Sequence, residues 1–452
     1  MKKAKVVNKK IEKKPVAPVK VVVAPKNVKP TPEVLRGMRD ILPNEWNYFE
    51  FLIKKLENLA HVYGFNRIEL PIMEPLSLYV RGTGKFTDVV QKEMFKFGDE
   101  ESGEIAMRPE GTPGVARAYI GHGMLNLPQP VKLYYVGSFF RRERPQAGRH
   151  REFHQFGLEI FGSDHPVSDA ELIALAHRFF KGIGVPVTFQ VNSIGTPASR
   201  EKFIKELIEY YKPKRKLLCE NCKERLTKNP LRLLDCKEPG CLTIKTDAPQ
   251  IVDFIDEESK AHFMRVLEYL DELEVPYQLN SHLVRGLDYY TKTVFEIWPE
   301  EGENTAQSSL GGGGRYDLLV ESLGGRPTKA VGFALGLERI INKMKELQIR
   351  VPSRNGEIFL AQLGEAARKV ALKMMPQLEE TGFKIHVNFS KDGLRDQLEQ
   401  ANKLGAKIVL ILGQQEIQDG TVIIRDMDSG MQESVDIKKL AAALIKRLPK
   451  VE

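Results

Sequence analysis

The alternation of apolar and polar residues changes period several times along the chain, and each change marks an element. Trp46, Phe49, Ile53, Leu56 and Ala60 recur at helical spacing, predicting a helix that Asn44 can cap and Gly64 can end. A strand over residues 65–73 follows, and Pro71 inside it points to an edge or a junction. Strand-compatible runs at 133–140 and 153–161 predict a hairpin, with a helix after it at SDAELIALAHRFF and a strand at VPVTFQVNSIG. From about 196 to 275 the chain turns helical and charged and carries all four cysteines, which reads as an inserted helical subdomain. A turn-interrupted strand with Arg285, Tyr289 and Tyr290 then leads into an alternating strand at 293–298. Residues 331–341 pass from strand to a helix starting near Leu335, with Arg339 on its first turns. Beyond a linker at 351–357, strands at 358–363, 384–389, 407–412 and 421–426 alternate with helices, predicting a small α/β domain with a largely parallel or mixed sheet.

The hairpin carries the densest chemistry. Arg141, Arg142, Arg144, Arg149 and Arg151 sit between its strands against only Glu143 and Glu152. A guanidinium donates in a planar fork that matches two phosphate oxygens, so arginines held over a sheet suit a phosphate ligand; a solvated basic loop is the simpler alternative. Gln155 and Glu159 are an even number of residues apart and share a strand face, giving a cavity with arginines at its mouth and an amide and a carboxylate on its floor. Glu110 and Thr112 lie on a Pro/Gly-rich turn before a helix; they can accept from an ammonium group, or Thr112 can be the helix cap with Pro113 as first residue. The run Gly311–Gly314 allows close backbone approach or positive φ, as a flexible turn also would. RGTGKFTD is not a phosphate loop, because Phe86 stands where Ser or Thr must follow the lysine.

Length and composition set the frame. The 452 residues, 42% hydrophobic and 28% charged, suit a globular protein of two or three domains. No run approaches the roughly 18 apolar residues of a membrane span, and MKKAKVV lacks the apolar core of a signal peptide. Few cysteines make a reducing cytoplasm the default. The net charge of +8 is concentrated in residues 1–30, which hold ten Lys and one Glu and leave 58 basic against 59 acidic residues elsewhere. That Lys/Val/Pro-rich stretch reads as a disordered tail, either a solubilising arm or a polycationic tether for nucleic acid. Cys219 and Cys222 are spaced C-x2-C, and after thirteen residues Cys236 and Cys241 are spaced C-x4-C. Four thiolates satisfy tetrahedral zinc, though the second spacing is looser than usual; free thiols in a helical insertion are the alternative.

FRRERPQAGRHREFHQFGLE resembles motif 2 of the class II aminoacyl-tRNA synthetases, and of the histidyl-tRNA synthetases in particular. RGMRDILP with its helix resembles motif 1, and VGFALGLERII resembles motif 3. LVRGLDYY and GGGGRYD match the two histidyl signatures, and KDGLRDQLEQANKLGAKIVLILG resembles the class IIa anticodon-binding domain. The resemblance covers about residues 33–450. It implies an α+β protein: a class II antiparallel-sheet catalytic domain over 31–350, with the insertion at 196–275, and an anticodon-binding domain over 356–452. It also implies a cytoplasmic homodimer that joins L-histidine to tRNA-His using ATP with Mg2+.

The same resemblance assigns roles. Arg141 and Arg285 would act on the α-phosphate; Arg141, Glu143 and Arg339 would bind ATP, with Arg339 at the γ-phosphate end. Glu110, Gly111, Thr112 and Gln155 would take the amino end of histidine and Glu159 and Tyr290 its ring side, with Tyr289 and Arg285 also binding the amino acid. Gln146 and Arg149 are candidates for the tRNA acceptor end. Metal is not a general requirement of the family, so the resemblance leaves the four cysteines open. A non-catalytic histidine- or tRNA-binding paralogue is the rival, and the retained Arg141, Arg285 and Arg339 oppose it.

Overall fold

The computed structural model describes residues 31–99, 101, 103–143, 149–236, 238–300, 309–352 and 358–448. Its centre is an eight-stranded sheet in the spatial order Asn66–Arg67, Val131–Phe140, Glu152–Phe161, Ala330–Gly336, Gly311–Arg315, Thr291–Pro299, Val187–Ser193 and Tyr277–Leu279. The six inner strands pair antiparallel, and the two short outer strands add in parallel.

The hairpin keeps register from Val131↔Phe161 to Phe140↔Glu152. Its period of two sends Phe156, Leu158 and Ile160 into a core with Phe49, Leu52 and Leu56 of the helix Pro43–Val62, Leu172 and Phe180 of Val167–Ile183, and Ile340 and Ile341 of Leu337–Glu346. Gln155, Gly157 and Glu159 are left on the other face, towards the helix Thr112–Gly121 and the insertion.

Several expectations shift. The first helix begins at Pro43, so Asn44 lies inside its first turn and does not cap it; the fixed φ of proline suits that position. Gly64 follows its end at φ +78°, as expected, but Trp46 is 45% exposed and Leu52 takes its place in the buried stripe. The strand expected over 65–73 shrinks to Asn66–Arg67, with Met73–Pro75 pairing in a separate three-stranded sheet. The glycine run is a strand interior rather than a turn. The helix bearing Arg339 starts at Leu337. Within 196–275, the helices Pro197–Tyr211, Glu220–Lys228 and Pro239–Lys245 form the excursion, whereas Glu257–Glu272 returns Phe263, Val266 and Leu270 to the main core.

At the C-terminus a five-stranded mixed sheet, ordered Ile385–Val387, Ile358–Gln362, Ile408–Leu412, Thr421–Asp426 and Gln432–Asp436, makes the α+β architecture complete. The last strand is almost wholly exposed, so no buried face imposes an apolar alternation on QESVD.

Arg315 ties the sheet to the helix layer. Fully buried, it pairs with Asp169 and Asp317 and donates to the carbonyl oxygens of Ser163 (2.8 Å) and His165 (3.3 Å). Burial alone would raise the Asp169 carboxyl, but Arg315 and His262 overcome it and pull it down to about 2. Arg315→Met strands that carboxylate and should lower unfolding free energy by about 3–5 kcal/mol in denaturant titration, whereas a loss under about 1 kcal/mol would contradict this role.

Candidate active site

On the sheet face opposite the helix layer lies a cavity of about 420 Å³. Its floor follows from register. Tyr135, Gly157, Ala334, Gly312 and Glu296 lie side by side across five strands, and Glu159, Gly332 and Gly314 form the next row. A Cβ on Gly157 would enter the Tyr135 ring, and one on Gly332 would collide with the Glu159 carboxylate. One on Gly312 would come within 2.7 Å of the Arg285 guanidinium. The sheet therefore makes room for large polar side chains to lie flat across it.

Glu110, Thr112, Tyr135, Gln155, Tyr289 and Tyr290 line one part of the cavity. Glu110 is buried and accepts from Thr83 Oγ1 at 2.6 Å and Tyr289 OH at 2.7 Å; burial raises its carboxyl above the usual range. Thr112 is the first residue of its helix and Gly111 the cap, so the capping alternative for Thr112 does not hold. Its hydroxyl donates instead to Glu159 Oε1 at 2.7 Å. A Cβ on Gly111 would enter the Tyr135 ring, so the turn can pass the floor only as glycine. Gln155 Oε1 is buried and has no hydrogen-bond partner among the described residues, an acceptor facing this polar cluster.

Glu159 is completely buried and lies one layer below the lining, its oxygens taken by Thr112 and Tyr316. Burial pushes its carboxyl up to about 8; the two hydroxyl donors oppose the shift and Glu110 adds to it.

The other part of the cavity gathers cations. Arg141 Nε donates to the Pro109 carbonyl at 2.9 Å and its guanidinium lies 5.5 Å from the Phe153 ring centre. Arg149 pairs with Glu143 at 2.7 Å. Arg285 pairs with Glu296 at 2.5 Å, which holds it above its ordinary range despite burial. Arg339 donates to the Ser309 carbonyl at 2.6 Å, and burial together with Arg149 and Arg141 pushes it down to about 10. Glu338 is not its partner: that carboxylate accepts from the backbone N–H of His154 at 2.9 Å and meets its ring Nδ1 at 2.8 Å.

Of the residues expected at the amino acid and ATP, Glu110, Thr112, Arg141, Glu143, Gln155, Arg285, Tyr289, Tyr290 and Arg339 line the cavity, while Gly111 packs against the Tyr135 ring and Glu159 lies beneath the surface. Gln146 lies outside the described residues. Cys219, Cys222, Cys236 and Cys241 cluster in the insertion, outside the set of residues that line the cavity. Sequence reasoning missed Thr83, for which the chain gives no signal, and Glu296, whose isolated charge in TVFEIW was one. Tyr316 stood in the quoted GGGGRYD without an assigned contact.

The family model described as histidyl-tRNA synthetase matches residues 37–198 and 239–340, and one described as anticodon binding domain matches 357–447. The chain belongs to the histidyl-tRNA synthetase family. It is 43% identical over 410 residues to the histidine–tRNA ligase of Natranaerobius thermophilus, covering 89% of this chain and 96% of that protein. The histidine–tRNA ligase of Acetivibrio thermocellus is 42% identical over 414 residues, covering 90% and 98%. The crystal structure of apo Staphylococcus aureus histidyl-tRNA synthetase superposes with a TM-score of 0.75 at 33% identity, covering 91% of this chain and 99% of that one. The break in the histidyl-tRNA synthetase match, 199–238, contains Cys219, Cys222 and Cys236.

Because the folded chain keeps a proton on Glu159 that the unfolded chain releases above about pH 4.5, its contribution to stability is complete below that pH and is lost as pH rises towards 8. Glu159→Gln, neutral throughout, should flatten the decline in stability across this window in denaturant titrations at stepped pH. An unchanged decline would mean that Glu159 is ionised in the fold.

Proposed function

We propose that this chain is a histidine–tRNA ligase that builds histidyl-adenylate in the glycine-floored cavity and passes the histidyl group to the terminal adenosine of tRNA-His. The observation that carries this reading is the junction, in one cavity, of an acceptor-rich pocket around Glu110 and Gln155 with the guanidinium groups of Arg141, Arg285 and Arg339.

The amino group of L-histidine would meet Glu110, Thr112 and Gln155, whose unpartnered oxygen supplies an acceptor. Tyr289, already donating to Glu110, orients that carboxylate. Tyr290 would face the ring, one of whose nitrogens donates and the other accepts when neutral. Glu159 would act on the ring side through the hydroxyl groups of Thr112 and Tyr316 that it holds. A pocket that recognises ring nitrogens by hydrogen bonds rejects an apolar analogue by about 10⁴-fold or more, because its own polar groups would be stranded.

With ATP alongside, the histidine carboxylate attacks the α-phosphorus and the P–O bond to pyrophosphate breaks. Negative charge grows on the α-phosphate oxygens and the leaving group, so the chain contributes alignment and fixed positive charge. Arg141 and Arg285 would hold the α-phosphate; Glu296 fixes the second of these before substrate arrives. Arg339 would meet the γ-phosphate end, where a triphosphate relieves its crowding by Arg141 and Arg149. Mg2+ arrives with ATP as part of the substrate, and it requires oxygen donors. Glu143, among these arginines in the cavity lining, would be the carboxylate to hold it. Arg149, with Gln146, would meet the acceptor end of the tRNA. A homodimer built through the RGMRDILP segment and a cytoplasmic location complete the reading.

A non-catalytic histidine- or tRNA-binding paralogue would have no use for three arginines converging beside the amino-acid pocket. The test is ATP–pyrophosphate exchange across the amino acids, in which histidine alone should support turnover. Arg285→Ala should lower the kcat of histidine-dependent exchange by at least about 10²-fold with a smaller change in histidine KM. Exchange near the parent rate in that variant would overturn the assignment of Arg285, and exchange with another amino acid but not histidine would overturn the substrate.

A further inference from the structure

The insertion has a feature that the chemistry of histidine and ATP does not use. Cys219, Cys222, Cys236 and Cys241 place their sulfur atoms within 4.8 Å of one another, the first half-buried and the other three buried. No other group of three or more His, Cys, Asp or Glu side chains converges in this way among the described residues. We infer that these four thiolates hold a structural Zn2+ that fixes the insertion against one wall of the catalytic cavity.

The distances fit a tetrahedral metal and not a disulfide. Zn–S bonds of about 2.3 Å in a tetrahedron set neighbouring sulfurs about 3.8 Å apart. Cys219 Sγ and Cys236 Sγ are 3.8 Å apart, whereas a disulfide needs about 2.05 Å. The backbone N–H of Cys219 points at Cys241 Sγ at 3.3 Å, the kind of donor that supports a ligating thiolate. Local structure explains how a loose C-x4-C can still converge. Cys219 caps the helix Glu220–Lys228 and Cys222 lies on its first turn, while Cys241 lies on the first turn of the helix Pro239–Lys245. Two short helices thus bring their starts together, and Cys236 arrives from the turn that follows the 3-10 segment Pro230–Leu233.

The excursion also needs such a staple. Its helices of nine and seven residues are too short to be stable alone, so their placement rests on the packing of Leu226, Leu233, Leu234 and Ile244 against the catalytic domain and on a staple at the cysteines. The segment between the two halves of the site carries Arg225 and Arg232, both paired with Asp88 of the catalytic domain, at 3.6 and 3.2 Å. Arg225, Arg232 and Asp88 line the same cavity as Arg141 and Arg285. A metal at the cysteines therefore fixes the backbone that delivers two guanidinium groups to the cavity wall, without touching the reacting atoms.

Full-length protein purified without chelator should contain about one zinc per chain by elemental analysis. Its four thiols should stay unreactive towards a thiol reagent under native conditions until a chelator is added. Replacing the metal with Co2+ should give thiolate-to-cobalt charge-transfer bands and the visible absorption of tetrahedral cobalt, a readout that needs no variant. Cys222→Ser should lose the metal, and if it does not fold, the cobalt spectrum of the parent protein still decides. Less than about 0.1 metal per chain with four freely reactive thiols would overturn the inference, as would two disulfides found by mass spectrometry of the unreduced protein, or an octahedral cobalt spectrum. Histidine-dependent exchange measured on the same samples separates this result from the activity, because loss of exchange with metal intact bears only on the proposed function.

Discussion

A β-sheet ordinarily presents a layer of side chains on each face, which leaves no depth for a ligand against its backbone. Here glycine removes that layer where the cavity lies. Gly157, Gly312, Gly314 and Gly332 share one face, and the space their missing Cβ atoms leave is taken by the Tyr135 ring, the Arg285 guanidinium, the Tyr290 ring and the Glu159 carboxylate. The opposite face of the same strands is densely apolar, with Phe156, Leu158, Phe295, Phe333 and Leu335 against four helices. One face supplies cohesion and the other supplies a cavity, and both depend on strict period-two register.

Electrostatics follows from that construction. Carboxyl groups laid flat in a dry floor are raised by burial, as Glu110 and Glu159 are, and hydroxyl groups of Thr83, Thr112, Tyr289 and Tyr316 satisfy them. Cations gather at the other end, and Arg339 is the one whose charge is disfavoured by burial and by its neighbours. Such an arrangement is completed by an anion, which is the role proposed for the triphosphate. The Arg315–Asp169 pair lies beneath, where it joins the glycine strand to the helix layer and leaves the floor in place.

Much of this was legible in the chain. The hairpin, the shared face of Gln155 and Glu159 and the segregated C-terminal α/β unit follow from alternation, whereas the meeting of Glu110, Arg141, Arg285 and Arg339 in one cavity was implied by the resemblance to the synthetase motifs. What was not legible depends on partners distant in sequence. Glycine runs signal turns locally, and only pairing with Thr291–Pro299 and Ala330–Gly336 makes Gly311–Arg315 a central strand. Thr112 looked equally like a cap because its acceptor, Glu159, is 47 residues away. Glu159 looked like a lining residue because face parity does not tell depth. Gln432–Asp436 has no buried face to pattern it.

The central claim is that missing Cβ atoms, rather than any single charged group, create the site, and Gly157→Ala measures this most directly. One methyl group there would enter the Tyr135 ring and force it to shift, without touching any of the cavity's charged groups directly. The account predicts that histidine-dependent ATP–pyrophosphate exchange falls by about 10²-fold in kcat/KM, since a displacement of about 1 Å has that effect in an aligned site, while circular dichroism shows the fold retained. Parent-like kcat/KM in a folded Gly157→Ala protein would contradict it.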